Sequence, residues 1–181
     1  MNKLTSVALA ASFFAVSALA FSVEGEPKVT FTGYKLANKT AVPGTFKTIN
    51  FKSQENANFA DFLKSFEFKL EPKDIDTKLP DRDKRIGIIF DGKAVDGKIV
   101  AVNGDDKAGE MDVELSINGN SKIFKTKYEV QNGKLVAKFS VDLVNDLKLN
   151  ESFDKFAAAA KPFHGGKSYP DVDVGFEATI K

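Results

Sequence analysis

Residues 111–143 read MDVELSINGNSKIFKTKYEVQNGKLVAKFSVDL, and this stretch decides the fold class. Met111, Val113, Leu115 and Ile117 alternate with Asp112, Glu114 and Ser116, which gives the segment one dry face and one wet face. A period of two is the mark of a half-buried β-strand. Asn118-Gly119 follows, then a second strand signal over 123–130, then Asn132-Gly133 and a third over 135–143. Asn-Gly tolerates the positive φ angles of tight hairpins, so these strands form an antiparallel meander. Asn103-Gly104 sets off a further strand, 95–103, in the same manner.

Working outward, strand signals recur at 29–36, 45–52, 65–71 and 172–180. In 65–71 the residues Phe66, Phe68 and Leu70 point one way and Glu67, Lys69 and Glu71 the other. The expectation is about eight strands. Two stretches read as helices. Residues 80–90 open on Pro80 and acidic residues and stop at Gly92; residues 150–161 place Phe153, Phe156 and Ala157 on one side, with Asn150 or Ser152 as the cap. Residues 58–64 add one helical turn. Many antiparallel strands with few helices make a closed barrel or a sandwich.

The N-terminus carries Lys3, an apolar run over 7–19 and Ala18-Leu19-Ala20. Charge, apolar stretch and small-residue site stand in the order of a secretory signal peptide, with cleavage expected after Ala20. The apolar run is short for a membrane anchor. This predicts a signal peptide over 1–20, one β domain over 21–181, and a periplasmic or secreted product that does not span a membrane. The chain has 26 Lys and Arg against 25 Asp and Glu, and Lys3 alone falls in the leader, so the remainder is neutral. No overall field draws it to nucleic acid. The sequence has no Cys and one His, which excludes thiol nucleophiles, thiolate metal sites and multi-histidine metal sites. No metal or cofactor is expected.

The sequence has 17 Phe, and they need somewhere to go. Phe31, Phe46, Phe68, Met111, Leu115, Phe139 and Phe176 fall on the dry faces of the strands. They form either an ordinary core or the wall of a ligand cavity. The densest charged segment is 74–85, with Asp74, Asp76, Asp81, Arg82, Asp83 and Arg85. It is either a barrel rim that holds a polar head group or a strand end running into a helix with well-placed acids. Arg82 needs a carboxylate partner there, and Asp76 and Asp83 are the nearest in sequence. His164 sits in a Gly-rich loop, either solvated or bonded to a head group. No nucleophile elbow or phosphate loop is present.

Four segments resemble the YceI-like family of exported, lipocalin-like proteins. They are Gly44-Thr45-Phe46 with its strand, the run from Phe66 through Asp76-Thr77 to Arg82-Asp83, the hairpin 111–123, and the closing strands 135–153 and 172 onward. Lys84-Arg85 stands where the family usually has x-His, and the family's Lys-Tyr-Pro lead into its fourth strand is missing after Phe90. The chain resembles a divergent branch. The resemblance implies an all-β fold: an extended eight-stranded antiparallel lipocalin-like barrel with two short helical segments. It implies a long apolar tunnel; the dry-face residues Phe31, Phe46, Phe68, Met111, Leu115, Phe139 and Phe176 are then expected to line it, and Asp76, Arg82, Asp83 and His164 to stand at the rim. It also implies a non-enzymatic carrier of a long apolar or amphiphilic ligand, such as an isoprenoid, quinone-like or fatty-acyl lipid. Two rival readings stand beside it: a filled barrel serving as a structural, interaction or stress-related module, and an enzyme acting on a lipid-like substrate. The oligomeric state stays open, a homodimer included.

Overall fold

The computed structural model describes residues 20–181. Lys3, the apolar run 7–19 and Ala18-Leu19 of the expected cleavage site lie outside the described residues, so the signal peptide is not placed. Among the described residues no helix is long and apolar enough to cross a membrane.

Ten strands form one antiparallel sheet. They are β1 (Val23–Lys35), β2 (Thr40–Phe46), β3 (Asn50–Lys52), β4 (Glu67–Leu70), β5 (Ile75–Asp76), β6 (Val95–Gly104), β7 (Ala108–Ile117), β8 (Asn120–Gln131), β9 (Lys134–Asp142) and β10 (Ser168–Ile180). Their order is β3-β4-β6-β7-β8-β9-β10-β1-β2-β5. β2 and β3 stand near opposite ends of that order, yet only residues 47–49 join them; residues 71–74 likewise join β4 to β5. A residue spans at most about 3.5 Å, so the sheet must curl until its two ends come near each other, although its edge strands β3 and β5 are not paired with each other. The Lys47 N–H donates to the Asp74 carbonyl at 2.7 Å, extending the β2–β5 ladder. The sheet thus curls into a barrel.

The count of ten corrects the expected eight. The expected strand 45–52 breaks at 47–49 because Phe46 and Phe51 both pack on the core. Five residues apart, strict alternation would put them on opposite faces, so the chain resets its phase at a corner. The first half pairs with β1 and the second with β4. The two-residue β5 was not foreseen. Asn118-Gly119 and Asn132-Gly133 make the hairpin turns with positive φ at all four residues, as expected. Asn103-Gly104 does not: both residues are still laddered, to Glu110 and Gly109, and the turn falls at 105–107.

The helices close the ends. α1 (Phe59–Lys64) is capped by Asn58, whose side chain accepts from the Asp61 N–H, and it buries Phe59, Phe62 and Leu63. α2 (Pro80–Gly87) and α3 (Asn150–Ala160) pack on each other near the opposite end. α3 begins at Asn150, so Leu149, and neither Asn150 nor Ser152, holds the cap position, and no side chain caps it.

Candidate ligand-binding interior

Along each strand, alternate residues face the barrel interior. Toward the α1 end the interior is full. Phe66 is 1% exposed. Its ring stands edge-on to Phe62 at 4.9 Å and to Phe51 at 5.1 Å, and Phe176 lies 6.1 Å away. Such pairs add about 0.5–1.5 kcal/mol each beyond the area they bury. Above this plug lies a small apolar cavity of about 20 Å³, lined by Val29, Phe66, Phe68, Ile99, Met111, Val113, Phe139, Val174 and Phe176.

One rung further along the axis, a second cavity of about 70 Å³ opens between the barrel and the two helices. The rungs are consecutive: Val29 faces the first cavity and Phe31 the second on β1, and Val174 and Val172 do the same on β10. α2 and its continuation give Arg82, Arg85, Ile86 and Ile89 to the lining, and α3 gives Phe153 and Phe156. The first four are spaced i, i+3, i+4, i+7, a single stripe of a helix. The end nearest α2 and α3 is therefore the mouth.

Two of the interior Phe lie flat against the wall. Phe31 on β1 is paired directly with Gly44 on β2, and Phe68 on β4 with Gly97 on β6. A Cβ on Gly44 would stand 2.3 Å from the Phe31 ring, and one on Gly97 would stand 2.1 Å from the Phe68 ring. Each ring occupies the space that a side chain opposite would take.

The rim is organised by Thr77, which is buried. Its N–H donates to Asp83 Oδ1 at 2.9 Å, and its hydroxyl donates to the same oxygen. Arg82 Nε donates to the Thr77 hydroxyl at 2.8 Å, and Nη2 donates to its carbonyl at 2.6 Å. Arg82 is therefore fixed by Thr77, with Asp83 behind it, and not by a direct carboxylate as expected. A buried hydroxyl that can donate and accept at once replaces the ion pair and avoids its desolvation cost. The rest of the guanidinium is left for the cavity. Asp76 turns the chain instead: it accepts from the Lys78 N–H at 2.9 Å and pairs with the Lys78 ammonium at 2.6 Å. These contacts hold its carboxyl below the usual carboxylate range.

His164 lines the mouth. Its Nδ1 lies 2.7 Å from the Ser168 hydroxyl and its ring meets Phe156 edge-on. Burial lowers its pKa, and the charges of Lys35 and Arg85 lower it further.

The structure thus brings Phe68, Met111, Phe139 and Phe176 to the inner cavity, and Phe31, Arg82 and His164 to the outer one. Phe46 packs on the core with its ring 5.7 Å from Phe31, and Leu115 is buried; neither lines a cavity. Asp76 and Asp83 hold the corner and do not line the mouth. Sequence reasoning missed Val42, Ile86, Ile89, Leu143 and Tyr169 of the outer lining, and the plug made by Phe51, Phe62 and Phe66. The stripe through Arg82, Arg85, Ile86 and Ile89 was a signal present in the sequence.

No family model matches the sequence, and no curated protein matches it. Solved structures do match in shape. A polyisoprenoid binding domain from Saccharophagus degradans, implicated in plant cell wall breakdown, superposes with a TM-score of 0.64 at 11% identity, covering 90% of this chain and 98% of its own. BcnA of Burkholderia cenocepacia gives 0.59 at 10% identity, over 86% and 96%. The YCEI protein of Campylobacter jejuni gives 0.57 at 17% identity, over 76% and 83%. At these identities the likeness is one of architecture, and the chain carries the YceI-like fold.

Proposed function

We propose that the protein is an exported binding protein for a long-chain apolar or amphiphilic lipid, of isoprenoid, quinone-like or fatty-acyl type, held along the barrel axis without chemical conversion. One observation carries the reading. Two apolar cavities lie on consecutive rungs of the same interior, and the outer one opens beside Arg82 and His164. An apolar chain would run along the axis as the lining rings move aside, and a polar head group would meet the guanidinium donors that Thr77 leaves unused. The polyisoprenoid-binding neighbour in Saccharophagus degradans supports the same ligand class.

The energetics are favourable. Each CH₂ taken from water contributes roughly 0.8 kcal/mol, so a dozen carbons supply about 10 kcal/mol before the cost of association. The volumes demand movement, since ligand pockets commonly enclose about 300–1,000 Å³. The half-buried rings of Phe31, Phe68 and Phe139 are the side chains that a ligand would displace. The same volumes favour a second reading, a filled barrel acting as an interaction module.

Protein recovered from a periplasmic extract without detergent, and analysed by native mass spectrometry, separates the two. The carrier reading expects a chain beginning at Phe21 with a bound lipid mass. It also expects the stripped protein to take up chains of more than about ten carbons, with Phe139→Ala altering the affinity. A lipid-free protein that takes up no such chain is the filled barrel.

A further inference from the structure

We propose that the mouth end of the barrel docks on an anionic lipid bilayer. Leu79 and Phe163 enter the headgroup layer, while Lys84, Arg85, Lys161 and Lys167 face the lipid phosphates. Exposed apolar side chains are ordinary when scattered singly. Here they are not scattered. Among the described residues three large hydrophobics are exposed: Leu79 at 54%, Phe163 at 55% and Ile123 at 51%. Two of the three flank the mouth from different segments. Leu79 is the N-cap of α2, whose Arg82, Arg85 and Ile86 line the opening. Phe163 precedes His164 of the same lining, and the Arg85 guanidinium lies 4.1 Å over its ring.

Charge points to the same surface. The chain as a whole is close to neutral, so a surplus here is local. Several acids of this end are engaged: Asp76 by Lys78, Asp83 by Thr77, Asp171 by Lys39, and Asp173 by Tyr34 and Ser140. Asp81 on α2, Asp91 beyond its continuation and Asp154 on α3 oppose the cations here. Among the described residues, Lys84, Arg85, Lys161 and Lys167 take part in no ion pair. The Leu36 N–H bonds to the Lys167 carbonyl at 3.2 Å, which ties the β1–β2 turn to this loop. Apolar tips ringed by free cations match a bilayer surface, which offers an apolar layer under an anionic one. An acidic protein surface would match only the cations.

This goes beyond the ligand reading and is measured without any interior ligand. Failure here therefore leaves a carrier intact, and a failed chain titration leaves this proposal intact. The experiment is co-sedimentation of the mature protein with vesicles of phosphatidylcholine alone and of phosphatidylcholine with phosphatidylglycerol. Retention is expected on the anionic vesicles and is expected to weaken as salt screens the charges. The triple variant K84Q/K161Q/K167Q should bind about a hundredfold more weakly, at about fivefold per basic residue. L79S/F163S should also lose retention, with its melting curve showing a folded protein. Equal retention on neutral vesicles, or retention that survives either set of substitutions, overturns the proposal. Binding to heparin but to no vesicle also overturns it and assigns the cations to an acidic macromolecule.

Discussion

Gly97→Ala tests whether the interior wall is shaped by the contact between Phe68 and Gly97. A Cβ at residue 97 would stand 2.1, 2.2 and 2.8 Å from Cζ, Cε2 and Cε1 of Phe68. Ordinary contact begins near 3.4 Å, so the ring must move by more than an ångström. Movement toward the interior brings it against Phe176, whose ring centroid lies 6.4 Å from its own at an interplanar angle of 20°. Overpacking of this kind costs roughly 1–3 kcal/mol. Alanine also restricts the unfolded chain, which offsets about 0.4–1 kcal/mol. The net expectation is a loss of about 1–2 kcal/mol, read from the midpoint of urea unfolding. Phe68→Ala alone should cost about 3 kcal/mol, at the low end for Phe because the ring is half-buried. With Phe68 gone, the Cβ at 97 meets no ring and only the backbone gain remains. Adding Gly97→Ala to Phe68→Ala should therefore stabilise by up to about 1 kcal/mol. The sign of one substitution thus reverses with the background. Equal effects in both backgrounds, additive within about 0.5 kcal/mol, would refute the reasoning.

Two further outcomes follow from the mouth. Thr77→Val removes the hydroxyl that accepts from Arg82 and donates to Asp83; a thermal melt should show a loss of roughly 1–3 kcal/mol, whereas Thr77→Ser should retain most of the stability. His164 is held below its ordinary pKa by burial and then by Lys35 and Arg85, so the unfolded chain binds the proton more readily than the folded one. Stability should be full above about pH 6.5 and fall as pH drops below it, toward the lower folded pKa. His164→Gln should flatten the melting temperature between pH 7.5 and 5.5. An unchanged slope would place the titrating group elsewhere, since Asp76, Asp142, Asp146 and Asp173, whose pKa values are lowered, act at more acid pH.

The sequence by itself determined the strands, because alternation between wet and dry residues is a local property. Met111 through Ile117 and the two Asn-Gly hairpins could be read without any partner. It also determined α1, whose cap Asn58 and buried Phe59, Phe62 and Leu63 sit within one short segment. The tertiary structure decided how the strands divide. Phe46 and Phe51 have opposite parity and one destination, and only the curled sheet shows that the chain breaks at 47–49 to satisfy both. It likewise decided what holds Arg82. Sequence distance named Asp76 and Asp83 as partners, but the corner between β5 and α2 places the Thr77 hydroxyl and carbonyl against the guanidinium. The contacts of Phe31 with Gly44 and Phe68 with Gly97 lie beyond any local pattern, for each joins residues on different strands. Periodicity tells which face a side chain occupies; the register between strands settles what it meets there, and so how much of the interior stays open.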